Sequence, residues 1–190
     1  SQTCDGIYDC FDLSDECNEH CWKRILESLV LRISSWLMGI MGMGLNSFTV
    51  ASGCKNLAHC KNGNVLRTRI LVSLIGCGDF LIGTYLVGLS IFDTFIFGHD
   101  FCKHQIEWFT GMGCAVLGII STFGSQLSLF SMTILCIHRV SGFITKSIRL
   151  TPPAPVNKTA VLKDALLTIG AVTLALAIAL TPLAPSLEDY

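Results

Sequence analysis

Charge is scarce in this 190-residue chain: Asp, Glu, Lys and Arg make up 14% of it, against 51% hydrophobic residues. A soluble domain carries about 25% charged residues, so a water-facing surface over the whole chain is excluded. Ten-residue segments of alternating polarity are missing too, which excludes the strands of a membrane barrel. There are no internal repeats and no low-complexity tracts, and the apolar runs set no nucleophile beside a base. Enzymatic chemistry is therefore not expected. At a net charge of −1, no nucleic-acid partner is expected either. No signal-peptide pattern opens the chain, and its first residue is Ser1 rather than Met, so Ser1 is expected to be a cut edge.

What the chain does have is apolar runs long enough to cross a bilayer, which takes about 20 helical residues. They fall at about Leu29–Ser52, Ile70–Phe92, Trp108–Ile137 and Ala165–Ala184. Helices satisfy their own backbone in lipid, so the fold class is an all-α membrane protein with four spans. Glycines within the runs, among them Gly39, Gly83, Gly88, Gly118 and Gly124, let such helices pack closely. The segments after spans one and three hold Lys55, Lys61, Arg67 and Arg69, then Arg139, Lys146, Arg149, Lys158 and Lys163. The positive-inside rule puts both in the cytosol. Asp93, Asp100 and Glu107, and the acids near both ends of the chain, then lie outside, and Arg32 is close enough to the outer end of span one to snorkel into water. The prolines of Thr151–Val156 read as a stiff cytosolic turn.

The opening stretch Cys4–Cys17, CDGIYDCFDLSDEC, sets five carboxylates among three cysteines. Outside the cell, disulfides can hold a short loop without a hydrophobic core, and clustered carboxylates suit a hard divalent cation. The alternative is a solvated acidic linker. The stretch resembles the C-terminal half of a low-density-lipoprotein receptor class A module, CDGxxDCxDxSDE, at every fixed position. The resemblance implies calcium ligands at Asp5, Asp9, Asp15 and Glu16, with backbone carbonyls of Gln2 and Ile7, and bracing by Asp12 and Ser14. It also implies disulfides through Cys4, Cys10 and either Cys17 or Cys21. The module would occupy residues 1–21 and a linker residues 22–28, with the membrane region at 29–190.

Asp79 stands in the middle of span two, in LVSLIGCGDFLIGTYL, where a charge costs about 2.5 to 3.5 kcal/mol and so marks a candidate site. The alternative is an acid satisfied by neighbouring hydroxyls for packing alone. Cys114 and Arg139 stand 25 residues apart on the third run. On a helix that is roughly 37 Å, about one membrane thickness. Together with Asn46 in GLNSFTV, these residues resemble spans one to four of a rhodopsin-type (class A) G-protein-coupled receptor. DFLIGTYL, IEWFTGMGC and SQLSLFSMTILCIHR resemble the leucine-rich-repeat receptors for glycoprotein hormones and relaxin-type peptides.

By that resemblance Asn46 packs the bundle, and Asp79 with the Ser128 hydroxyl holds a sodium ion. Cys114 bonds to a second-loop cysteine, and Arg139 engages a heterotrimeric G protein in response to an extracellular peptide or protein. The site expected is a plasma membrane, crossed several times with the N-terminus outside. His138 departs from the pattern, standing where an acid usually precedes the arginine. A neutral imidazole cannot give the charge-assisted bond of a carboxylate, so a loosened inactive state is expected. Two other readings are a truncated product without signalling and a cargo receptor bearing the class A module.

Overall fold

The computed structural model describes residues 24–26, 28–57, 63–98, 101–148 and 158–181. The acidic cluster, with Cys4, Cys10, Cys17 and Cys21, lies outside the described residues.

The described chain is helical. Helix α1 is Leu29–Leu57, α2 is Gly63–Ile91, α3 is Phe101–Thr110, α4 is Met112–Ile148 and α5 is Lys158–Leu180. Three of them contain stretches long and apolar enough to cross a membrane: Leu29–Lys55, Val65–Phe97 and Met112–Ile144. The fourth expected span is represented by a shorter apolar stretch, Leu166–Leu180. Large apolar side chains point outward along these helices; Phe48, Phe95 and Met112 are 74%, 75% and 79% exposed. Such surfaces would be aggregation sites in water and cost nothing against lipid tails.

Several boundaries differ from the sequence reading. Expected span three began at Trp108, but the chain breaks there, with α3 ending at Thr110 and α4 starting at Met112. Gly111 makes the break: a methyl at this residue would sit 2.5 Å from the Glu107 carbonyl oxygen, a position only glycine tolerates. Beyond Ile137, α4 continues to Ile148, giving a rod of about 55 Å at 1.5 Å per residue. At the far end α5 stops at Leu180 rather than Ala184, because Pro182 follows and disfavours helical geometry in the residue before it.

The chain forms two compact units: Ser1–Met41 with Gly83–Gly118, and Gly42–Ile82 with Ile119–Tyr190. The core of the first is aromatic. Phe101, Trp108 and Leu117 are buried, with Ile25, Tyr85, Leu89, Phe92, Phe97 and Cys114 packed against them. Phe92 and Trp108 meet at 4.6 Å between ring centroids, and Phe97 meets Trp108 edge-on at 5.3 Å. Here α2 passes into a π-helical turn, Phe92–Phe97, closed by Gly98 at φ 50°. The second unit buries Leu71 and Leu127, with Ala175 and Ala179 of α5.

Candidate functional site

The second unit contains the polar pair on which the site is built. Its assembly starts from two residues without side chains: a Cβ on Gly78 would lie 2.6 Å from the Gly124 carbonyl oxygen and 2.9 Å from the Ser128 amide. Helices α2 and α4 therefore touch backbone to backbone. Asp79 follows Gly78, and Ser128 stands one turn after Gly124. The Ser128 hydroxyl donates to the Asp79 carboxylate, Oγ to Oδ1, at 2.8 Å, and both residues are half-buried. The contact joins α2 and α4 through one side-chain hydrogen bond. Among the described residues no three His, Cys, Asp or Glu side chains cluster as a transition-metal site would require.

Asn46 is half-buried on α1 and donates to the Gly42 carbonyl of its own helix at 2.9 Å. Arg139 is exposed near the C-terminal end of α4. His138 is half-buried, and its Nε2 meets Nη1 of Arg67 on α2. The sequence reading weighed His138 only against Arg139; the fold brings it to Arg67 of another helix. Cys114 lies in the first turns of α4, packed on the aromatic core.

The first unit contains a feature that sequence reasoning did not foresee. Asp93, which the charge argument sets on the outer side, is 1% exposed inside the π-helical turn. It accepts the Leu26 backbone N–H at 3.0 Å and faces Arg32 Nε at 3.3 Å. Arg32 thus turns to Asp93 rather than snorkelling to water. A buried acid is tolerable when paired in this way. The available signal was an arginine early in span one and an acid just past span two, both on one side of the membrane by the charge argument. Close by, the buried Ser90 hydroxyl lies 2.9 Å from that of Ser35 and 2.8 Å from the Leu86 carbonyl oxygen.

No protein-family model matches the chain. Individual proteins do. Over 162 residues it is 29% identical to the leucine-rich repeat-containing G-protein coupled receptor 5 of Rattus norvegicus, a match covering 85% of this chain and 16% of that receptor. The thyrotropin receptor of Bos taurus is 28% identical over 149 residues, 77% of this chain and 18% of the receptor. The G-protein coupled receptor GRL101 of Lymnaea stagnalis is 26% identical over 118 residues, 62% and 10% respectively. The chain is thus homologous to G-protein-coupled receptors, the leucine-rich repeat-containing receptor 5 among them, and to the thyrotropin receptor, and spans less than a fifth of the length of these relatives. These relatives are receptors rather than enzymes, and with the long apolar helices they make the chain a multi-pass membrane protein.

Proposed function

We propose that this chain forms the first four spans of a plasma-membrane receptor that passes an extracellular peptide or protein signal to a heterotrimeric G protein. The observation that carries the reading is the Ser128–Asp79 hydrogen bond between α2 and α4, in a chain homologous to such receptors. A half-buried acid bonded across two spans gives the helices a polar contact whose strength depends on what occupies it, which a two-state receptor needs. The basic residues between the first and second apolar runs and between the third and fourth support an orientation with the N-terminus outside and Arg139 in the cytosol. A sodium ion held by Asp79 with Ser128 would favour the inactive arrangement. The CDGIYDCFDLSDEC pattern supports a calcium-binding class A module ahead of α1.

Guanine-nucleotide exchange on a purified G protein, catalysed by membranes holding the receptor with these spans, tests the reading. Arg139→Ala is expected to abolish ligand-independent exchange without lowering surface expression. Unchanged exchange in that variant removes Arg139 from the coupling role.

A further inference from the structure

A guanidinium has five N–H donors and no acceptor, and it stays protonated in proteins. As a hydrogen bond, the contact between Arg67 Nη1 and His138 Nε2 requires the imidazole nitrogen to accept, with the ring's one proton on Nδ1. A doubly protonated ring would set N–H against N–H, and so would the other tautomer.

The surroundings make that state informative. Asp79, the carboxylate on α2, is engaged by Ser128. Successive helical residues point about 100° apart. With His138 half-buried toward Arg67 of α2, Arg139 is turned out to the exposed face.

We propose that Arg67 is a positioning residue: by holding neutral, Nδ1-protonated His138 from α2, it ties the two helix ends together and fixes how α4 presents Arg139. The Arg67–His138 contact thereby takes the place of the restraint that a carboxylate before the arginine would supply. Its switching role rests on the receptor reading above; the contact itself does not.

The test uses the full chain in lipid nanodiscs with 15N-labelled histidine, the His138 signals being assigned by their loss in His138→Gln. At about pH 8, where an ordinary imidazole is neutral, Nε2 is expected to carry no proton. Arg67→Met should move the proton to Nε2, and Arg67→Lys, which keeps a charged donor, should restore the wild-type signature in part. A wild-type ring protonated on Nε2, or a spectrum indifferent to Arg67→Met, overturns the proposal. In the exchange assay, Arg67→Met should raise ligand-independent exchange about fivefold or more, the effect of losing roughly 1 kcal/mol of restraint. If the tautomer moves while exchange does not, in a receptor whose wild type is active, the contact is merely structural and the positioning role is lost. If no variant supports exchange, the receptor reading falls and takes the switching role with it, while the tautomer result still decides the contact.

Discussion

Gly78 and Gly124 occlude each other: a methyl on either would lie within 2.8 Å of the other's carbonyl oxygen. This reciprocal contact sets the distance between α2 and α4, and the adjoining Asp79 and Ser128 come within hydrogen-bonding range because of it. The polar site thus depends on an apolar, purely steric feature.

Gly124→Val should separate the helices, destabilise the chain by about 1 to 3 kcal/mol through overpacking, and break the Asp79–Ser128 bond. Thermal unfolding in nanodiscs measures the first effect. Gly142→Ala is the control, since a methyl there meets nothing within 4 Å; equal melting temperatures for the two variants would contradict the steric account.

Removing Arg32 alone should cost more than removing both members of the Arg32–Asp93 pair. Arg32→Met leaves the buried Asp93 carboxylate without its counter-charge, at about 3 to 5 kcal/mol. The Arg32→Met, Asp93→Ala double variant is expected to recover much of that loss. Unfolding measurements in which the two single effects simply add would show that the groups do not interact.

How far the sequence revealed these features depended on whether the property was local. The start of α1 at Leu29 was legible because the polar-to-apolar change occurs there. The α3–α4 break was hidden: Trp108–Ile137 reads as one apolar run, and only the clash at Gly111 with the Glu107 carbonyl shows why the helix is interrupted. Asp79 was visible as a lone mid-span acid; resemblance set the Ser128 hydroxyl with it around a sodium ion, and the direct hydrogen bond between the two came from the fold alone. Gly78 went unnoticed beside it, because its role appears only when Gly124 faces it. Asp93 and the Arg67–His138 contact were missed for a related reason. Each depends on a partner 61 to 71 residues distant in sequence, beyond the reach of any periodicity.

Tags fused before Ser1 and after Tyr190 should both be accessible to antibody on intact cells, and a tag near Pro153 only after permeabilisation. An accessible tag at Pro153 would invert the orientation drawn from Lys and Arg counts. It would also expose Asn157-Lys-Thr159 to glycosylation.

A complete six-cysteine module built on residues 1–21 is expected to bind one calcium ion when oxidised. Asp15→Ala should weaken binding at least tenfold by titration calorimetry, about 1.4 kcal/mol. Equal affinity in the two forms would remove Asp15 from the ligand set.

The most direct test of the account replaces sodium by choline in the nucleotide-exchange assay, at constant ionic strength, for wild-type receptor and for Asp79→Asn. If Asp79 and Ser128 hold a sodium ion that restrains the receptor, ligand-independent exchange by the wild type rises when sodium is withdrawn, and Asp79→Asn gives the same rate in both salts. An Asp79→Asn variant that keeps the full sodium response, or a wild type indifferent to sodium, would contradict it.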